Sequence, residues 1–322
     1  MAVIDPLIKG QVILITGANG FIGRHLCAFL KERACFVRGA VRNKTSDALV
    51  ADEYIQVGEI DGSTDWQQAL IGVDVVIHLA ARVHVLKDEA VDPLLAFRQV
   101  NVLGTERLAR MAAKAGVKKF IFLSSVKVNG EGSGKAYTEI DAPQPEDAYG
   151  ISKKEAEDSL LRIAADTGLK TVILRPSLVY GPGVKANFKN LIKLVSLGVP
   201  LPFKSICNQR SFIYIGNLVD AILLCITHPE ALGEVFLVSD GDDVSTPDLM
   251  KILASAMRKK VVLIAVPISF LKFLSSLVGQ GDAIEKLIGS LCIDSSKIRI
   301  KLGWTPPYAI KEGISKTINN AL

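Results

Sequence analysis

The chain has 322 residues, of which 49% are hydrophobic and 22% charged, which excludes a disordered protein and allows a large buried core. Its formal net charge of +5 is spread without any block of like charges, so nucleic-acid binding is not expected, whereas an anionic small molecule is compatible with it. Five scattered cysteines without a Cys-x-x-Cys spacing, four histidines and an N-terminus without signal-peptide features predict a cytoplasmic protein with neither a disulfide framework nor a metal site.

The first half of the chain alternates strand-like and helix-like segments. Nearly continuous apolar runs, typical of strands buried on both faces of a parallel sheet, occupy residues 11–16, 36–41, 73–79 and 119–124, with a further strand at 171–174. Helical apolar spacing follows at residues 21–32, 65–71 and 93–115. Gly72 and Gly116 stand where helix C-terminal caps are expected. This alternation predicts a Rossmann-type α/β fold with a doubly wound parallel sheet.

The pattern becomes irregular after about Gly181, where Gly, Pro and Asn cluster. We therefore predict a dinucleotide-binding domain over residues 1–180 and a smaller, mixed α/β substrate lobe over residues 181–322, with an approximate boundary across which elements interleave. The longest apolar stretch, 261–278, contains Pro267 and Lys272 and predicts a strand and an amphipathic helix. Stable membrane insertion is not expected. Contact of this helix with a membrane surface stays an open alternative, although the absence of a dense basic face argues against it.

A glycine-rich turn connects the first predicted strand to the first predicted helix. Its sequence, TGANGFIG, has the spacing Gly-x-x-Gly-x-x-Gly over residues 17–23. Glycines there allow a tight turn and a close approach of the backbone to a pyrophosphate at the helix N-terminus. The turn predicts a dinucleotide site made of Gly17, Asn19, Gly20, Phe21, Ile22 and Gly23.

The end of the second strand bears on the choice of nicotinamide cofactor. An NAD-selective site usually has Asp or Glu there for the ribose 2′-hydroxyl, whereas this chain has Arg42. A cation suits a 2′-phosphate, so the sequence favours NADP(H) and leaves NAD(H) open. Alternatively, Arg42 is an ordinary solvated surface charge, since the register of a strand end is uncertain.

Two further motifs carry candidate catalytic groups. Tyr149 and Lys153 are four residues apart at the start of a predicted helix, so that the phenol and the ammonium share one face. A free tyrosine has a pKa of roughly 10, and a nearby cation stabilises its phenolate. Ser125 follows the strand at 120–123, at the edge where an open α/β sheet binds ligands.

Together these motifs resemble the extended short-chain dehydrogenase/reductases of the nucleotide-sugar epimerase/dehydratase group, over nearly the whole chain. The resemblance also includes HLAA at 78–81, LRP at 174–176, VYGPG at 179–183 and LGWTP at 302–306. It implies that Tyr149 is the acid/base, that Ser125 hydrogen-bonds the reacting oxygen, and that Lys153 binds the nicotinamide ribose and lowers the tyrosine pKa. The remaining cofactor contacts that it implies are Glu59, Ile60, Leu79, Ala80, Ala81, Asn101 and Pro176. The implied substrate contacts, besides Ser125 and Tyr149, are Arg82, Lys127, Asn187 and Arg210.

Departures from the family pattern limit what the resemblance implies. Relatives that dehydrate sugars carry Asp-Glu after the catalytic Thr, whereas Val126 and Lys127 follow Ser125, which argues against water elimination. Glu59 replaces a usual adenine-binding Asp, and the Arg-x-x-Asp clamp for the nucleotide ribose is not evident around residues 290–294. The string SSVKVNGE at 124–131 is similar to a UDP-glucose 4-epimerase-like subgroup that includes 4-keto reductases forming UDP-N-acetylquinovosamine.

We therefore predict hydride chemistry at C4 of a UDP-sugar. The favoured version is NADPH-dependent reduction of a UDP-4-keto-hexosamine in bacterial surface-polysaccharide precursor synthesis. The alternative is a UDP-glucose or UDP-N-acetylglucosamine 4-epimerase with retained NAD, which needs the same three residues. A distant alternative is a non-catalytic cofactor-binding protein. A homodimer is also open, because relatives often pair through helices corresponding to residues 93–115 and 150–165.

Overall fold

A computed structural model describes residues 8–43, 50–83, 92–132, 134–277 and 281–319, without the side chains of residues 186–187, 274–277 and 282–283. Its main sheet has seven parallel strands in the order β3-β2-β1-β4-β5-β6-β9. These strands are β1 (Val12–Thr16), β2 (Phe36–Val41), β3 (Glu53–Gln56), β4 (Val75–His78), β5 (Lys119–Leu123), β6 (Lys170–Pro176) and β9 (Val235–Val238). A separate pair joins β7 (Leu178–Tyr180) to β8 (Phe212–Tyr214). The predicted doubly wound parallel sheet is confirmed.

The helices fall into two groups along the chain. Those of the first half are α1 (Phe21–Lys31), α2 (Gln67–Leu70), α3 (Pro93–Arg98), α4 (Gly104–Lys114) and α5 (Ala148–Thr167). Those of the second half are α6 (Ala186–Ser196), α7 (Ile215–Thr227), α8 (Thr246–Ala256), α9 (Ile268–Leu277), α10 (Gly281–Ile288), α11 (Ser296–Leu302) and α12 (Ile310–Asn319). Within the described part of the chain, no helix combines the length and apolar character that crossing a bilayer requires.

The sheet has a hydrophobic core on each face, which explains the continuous apolar runs in its strands. Along β1, Ile13 and Ile15 belong to one core, whereas Leu14 belongs to the other. Helices α1 and α7 pack together over the first core, and α4 and α5 pack together over the second. Every side chain of a central strand is therefore covered, as expected for a parallel sheet between two helical layers.

The strand order reverses direction between β1 and β4, and this point positions the candidate site. Thr16, at the end of β1, is in register with His78, at the end of β4. In open α/β sheets ligands bind outside the carboxyl ends of the strands at such a switch point. The segments that follow β1, β4, β5 and β6 all leave from this edge.

Some elements differ from the sequence-based expectation. The sequence analysis did not predict β3, a half-buried edge strand with the sequence EYIQ. The strand expected near residue 261 is only an isolated bridge between Leu201 and Leu263, although α9 follows as predicted. Strand β9, from the second half of the chain, completes the main sheet. The division at residue 180 remains a prediction, with this strand as an interleaved element.

Candidate active site

The glycine turn after β1 is packed so closely that side chains would not fit. A Cβ on Gly23 would lie 2.2 Å from the Gly17 carbonyl oxygen, and one on Gly17 would lie 3.1 Å from the Ala80 backbone. Gly17 also has φ +66°. Gly20 caps α1 without a side-chain hydrogen bond, so the first-turn N–H groups of the helix remain available to a phosphate. The turn therefore has the cradle that a dinucleotide pyrophosphate requires.

A buried polar chain fixes the floor of this cradle. The Thr16 hydroxyl accepts hydrogen bonds from the N–H groups of Leu79 and Ala80 (3.1 and 3.0 Å), which holds the segment after β4 beside the glycine turn. The His78 ring lies between the hydroxyls of Thr16 (2.7 Å) and Thr105 (3.0 Å). Burial lowers the pKa of His78 to about 3, and the nearby Lys153 acts in the same direction. His78 is therefore a neutral, hydrogen-bonded core residue.

A short π-helix at Gln99–Leu103 places the predicted cofactor residue Asn101 between two parts of the site. The buried Asn101 amide exchanges hydrogen bonds with the Arg82 backbone (2.8 and 3.0 Å) and donates to the Ser152 hydroxyl (2.9 Å). Ser152 in turn donates to the Tyr149 carbonyl oxygen (2.8 Å). Asn101 thus couples the segment after β4 to the first turn of α5. The extra residue of a π turn is a common feature of functional sites.

Arg42 and Glu59 meet beyond the ends of β2 and β3. Arg42 Nε lies 3.3 Å from a Glu59 carboxylate oxygen, and both side chains are about two-thirds exposed. Arg42, the residue predicted to bind a 2′-phosphate, is therefore accompanied by the Glu59 carboxylate, which offsets the positive charge of its guanidinium. Arg38 is turned away to bind Glu53 (2.6 Å) and backbone carbonyls near α2.

The structure brings Ser125 and Tyr149, two of the predicted catalytic residues, together. Ser125 is the second residue after β5 and caps a 3₁₀ turn at Val126–Val128, while Asp147 caps α5 and sets Tyr149 in its first turn. The two hydroxyls are hydrogen bonded. Burial raises the pKa of Tyr149 well above its usual range, and the negative charge of Asp147 adds to this, whereas the Ser125 hydrogen bond lowers it. In this state the phenol is protonated.

Lys153 is one turn further along α5 and is almost completely buried, at 2% exposure. Its Nζ donates to the Leu123 carbonyl oxygen (2.8 Å) and lies 4.4 Å from the centre of the Phe122 ring. Burial lowers the pKa of Lys153 to about 7, while the charge of Glu157 raises it. The predicted effect of Lys153 on the Tyr149 pKa stays a prediction for the cofactor-bound protein.

A buried ion pair lies behind the three catalytic candidates. Arg175, in β6, donates from two nitrogens to the two carboxylate oxygens of Glu157 (3.0 and 2.6 Å) and from the third to Asn129 (3.1 Å). Ser124 also donates to Glu157. The side chains of Arg175 and Glu157 are 6% and 3% exposed. Through it, Ser124, next to Ser125, is joined to Glu157, one turn after Lys153 in α5, and to Arg175, next to Pro176 in β6. The sequence analysis noted Arg175 only within the LRP motif and did not predict its pairing with Glu157.

The predicted substrate-binding residues Lys127 and Arg210 are connected by a series of charged side chains that includes Asp147 and Glu131. Lys127 Nζ binds both Asp147 and Glu131 at 2.5 Å, and these carboxylates raise its pKa against the effect of burial. The charge of Glu131 also acts on Arg210, one nitrogen of which donates to carbonyl oxygens at the end of α10. Lys127 thus partly neutralises Asp147, the carboxylate whose charge acts on Tyr149, and the series continues through Glu131 to Arg210.

The other predicted positions lie as follows. Arg82 sits with its guanidinium 5.4 Å from the Phe97 ring, which contacts Tyr149 edge-on at 6.2 Å. Pro176 ends β6 in the buried part of the site. The Asn187 side chain is outside the described residues. Contacts with cofactor and substrate remain predictions for all of these residues, including Ile60 and Ala81. The structure places most of them at one edge of the sheet.

Ser177, which the sequence analysis did not single out, directly follows Pro176. Its side-chain hydroxyl is buried and, within the described part of the chain, has no hydrogen-bond partner. A buried hydroxyl without a hydrogen-bond partner costs free energy, so a polar ligand atom at the end of β6 would supply the missing partner. This hydroxyl and the glycine cradle both fit a bound dinucleotide. Among the described residues no group of three or more His, Cys, Asp or Glu is placed to hold a metal ion.

Comparison with known proteins identifies close relatives. The family model described as "NAD dependent epimerase/dehydratase family" matches residues 13–239. A UDP-glucose 4-epimerase of Vibrio cholerae is 46% identical over 311 residues, covering 95% of this chain and 94% of that protein. The structure is similar to a UDP-glucose 4-epimerase of Thermotoga maritima with UDP-glucose (TM-score 0.77, 26% identity, 96% and 98% coverage). It is equally similar to a UDP-glucuronic acid 4-epimerase of Bacillus cereus in complex with NAD (TM-score 0.77, 25% identity, 96% and 98% coverage).

Proposed function

The chain belongs to the NAD dependent epimerase/dehydratase family, and from this premise we propose that it interconverts the C4 epimers of a UDP-hexose with a retained NAD. It is a nucleotide-sugar enzyme of the short-chain dehydrogenase/reductase type. The observation that carries the proposal is the hydrogen-bonded Ser125–Tyr149 pair beside Lys153, at the sheet edge where the glycine cradle lies. The 46% identity to a UDP-glucose 4-epimerase supports this function over the reductase favoured from the sequence.

The pairing of Arg42 with Glu59 supports NAD. A 2′-phosphate at Arg42 would lie close to the Glu59 carboxylate, and like charges at such distances repel. The cofactor would be held by the N–H groups at the start of α1, by the segment at 79–81 and by the residues that end β6. When bound, the nicotinamide accepts and returns a hydride at C4 of the sugar.

The residues of this chain move the proton and hold the reacting oxygen. Tyr149 takes the proton of the C4 hydroxyl when the alcohol is oxidised and returns it to the same oxygen when the ketone is reduced. Ser125 hydrogen-bonds Tyr149 and the C4 oxygen, so its hydroxyl stabilises the developing charge. Lys153 lies one turn from Tyr149, and its ammonium favours the phenolate once a partner in the site keeps it charged.

The second candidate is the NADPH-dependent reduction of a UDP-4-keto-hexosamine. The cation Arg42 at the end of β2 favours it, because the carboxylate usual for the ribose 2′-hydroxyl is replaced there. The same Tyr149 proton would then pass to the C4 oxygen in one direction only, and NADPH would be consumed.

Turnover without added nicotinamide separates the two candidates. Purified protein incubated with UDP-glucose or UDP-N-acetylglucosamine alone should form the corresponding C4 epimer, and denaturation should release NAD at a ratio near one per chain. The variant Tyr149→Phe should retain NAD but lose turnover. The matched control Tyr308→Phe, whose ring packs in the second lobe, should keep it. Protein that binds only added NADPH and epimerises neither sugar would refute the epimerase and leave the reductase.

A further inference from the structure

Two segments of the second lobe carry positive charge and no acidic residue. Residues 185–204 contain Lys185, Lys189, Lys193 and Lys204. Residues 251–273 contain Lys251, Arg258, Lys259, Lys260 and Lys272. Because the formal net charge of the whole chain is only +5, these nine cations leave the rest of the chain with a net negative charge. The basic surplus of the protein is therefore concentrated in these two segments, although no long block of like charges marks them, and the even spread expected in the sequence analysis is wrong in this respect.

The fold brings the two segments side by side, which the sequence alone did not reveal. The N–H of Leu201 donates to the Val262 carbonyl oxygen and the N–H of Ile264 donates to that of Leu201, both at 2.9 Å. Nearby, Lys259 Nζ donates to the Ser196 carbonyl oxygen (2.7 Å). The cations of α6 and its following loop thus share a surface with those that follow α8.

The same surface exposes large apolar side chains. Those with exposed fractions between 47% and 67% are Leu197, Val199, Val262, Ile264, Phe270 and Phe273. Single exposed apolar residues are ordinary, but several on two paired segments and the helix that follows them indicate an interaction site. Apolar side chains ringed by lysines are the composition of elements that lie in the interface of a bilayer.

A pocket of about 250 Å³ opens at the junction of the two segments. Its lining consists of Lys204, Pro247, Lys251, Val261 and Leu263. Lys251 also binds the exposed carboxylate of Asp248 at 2.9 Å. The lining thus combines two lysines with three apolar residues, a composition that suits a phosphate group joined to hydrocarbon, as in a phospholipid.

We propose that this surface, made of residues 185–204 and 251–273, binds the protein peripherally to an anionic phospholipid membrane. The lysines and Arg258 neutralise lipid phosphates, and the exposed residues of 262–273 enter the interfacial layer. Charge complementarity selects this occupant. The two segments carry nine cations and no acidic residue, and although Asp248 and Glu285 beside them pair with Lys251 and Lys272, a positive surplus remains. This surplus opposes a second copy of the same face and suits a negatively charged bilayer. The proposal does not depend on the chemistry at C4.

Vesicle sedimentation tests the proposal on the full-length protein. Vesicles of phosphatidylcholine and phosphatidylglycerol should carry the protein into the pellet, pure phosphatidylcholine vesicles should not, and added salt should release it. Lys204→Glu/Lys260→Glu should weaken binding roughly tenfold or more. The control Lys170→Glu/Lys311→Glu changes the net charge equally at exposed positions elsewhere and should bind like the parent. Phe270→Ser should also weaken binding, whereas Ile300→Ser, at an 83% exposed position, should not.

Three results would overturn the proposal. Equal sedimentation with neutral and anionic vesicles would remove the role of charge. Equal loss in the two double variants would show that only the net charge of the protein matters. Light scattering that shows a dimer, broken by Phe270→Ser, in a protein that ignores vesicles would assign the face to protein–protein contact.

Discussion

The buried pair of Arg175 and Glu157 makes a strong prediction about stability. Replacing Arg175 by Met keeps most of the side-chain volume but removes all three of its hydrogen bonds. Among the described residues, the Ser124 hydroxyl would then be the remaining hydrogen-bond partner of the buried Glu157 carboxylate. Removing one member of a buried ion pair typically costs about 3–5 kcal/mol, since the other charge is left uncompensated. We expect Arg175→Met to lower the free energy of unfolding by about 3 kcal/mol. This value is the lower end of the range because Ser124 still donates a hydrogen bond to Glu157.

The double variant Arg175→Met/Glu157→Met provides the matched control. With both charges gone, the free energy of unfolding should recover most of the loss, because apolar replacements of buried pairs are often neutral or stabilising. Urea unfolding followed by tryptophan fluorescence measures this, since Trp66 and Trp304 are both buried. A cost below about 1 kcal/mol for Arg175→Met, or a double variant as unstable as the single one, would refute the reasoning.

Three more predictions concern the site itself. Gly23→Ala should abolish NAD binding and destabilise the fold by about 1–3 kcal/mol in calorimetry, because its Cβ would lie 2.2 Å from the Gly17 carbonyl oxygen; Gly134→Ala, where the new Cβ meets nothing, should do neither. In cofactor-stripped protein, burial holds the Lys153 pKa at about 7, below its ordinary 10.5. Between these pH values the unfolded chain binds one more proton than the folded protein, so the free energy of unfolding should rise with pH from 7 to 10.5. Lys153→Met should flatten this rise in the urea unfolding midpoints, and an unchanged slope would contradict the assigned burial. In cofactor-stripped protein, Arg42→Asp should weaken NADP binding about 10- to 100-fold in titration calorimetry while leaving NAD binding nearly intact, because it replaces a cation at the end of β2 by a second carboxylate beside Glu59; an equal loss for both cofactors would exclude a contact between Arg42 and a 2′-phosphate.

Local patterns were sufficient to predict the central strands of the sheet and the glycine turn. The strands at the centre of the sheet are covered on both faces, so their apolar runs are unambiguous, and the glycines of residues 17–23 are close in sequence. Strand β3 escaped prediction because it is short, half-buried at the edge and rich in polar residues. Edge strands of this kind carry little periodic signal.

Long-range pairings could not be predicted from the sequence. Arg175 and Glu157 meet only because β6 and α5 pack against each other, and the Thr16–His78–Thr105 chain spans three elements. Arg42 was correctly noticed as a cation at the end of β2, but Glu59, its partner in space, is 17 positions away. The basic surface made of residues 185–204 and 251–273 likewise arises from segments that are distant in the chain.

The most direct test of the proposed function follows the hydrogen at C4. UDP-glucose deuterated at C4, incubated with the purified protein and no added nicotinamide, should give UDP-galactose that retains deuterium at C4, because the hydride leaves and returns within one site. The equilibrium mixture should form without net consumption of NAD. Loss of the label to solvent, or no epimer with either UDP-glucose or UDP-N-acetylglucosamine while NADPH is oxidised with a UDP-4-keto sugar, would contradict the proposed epimerase.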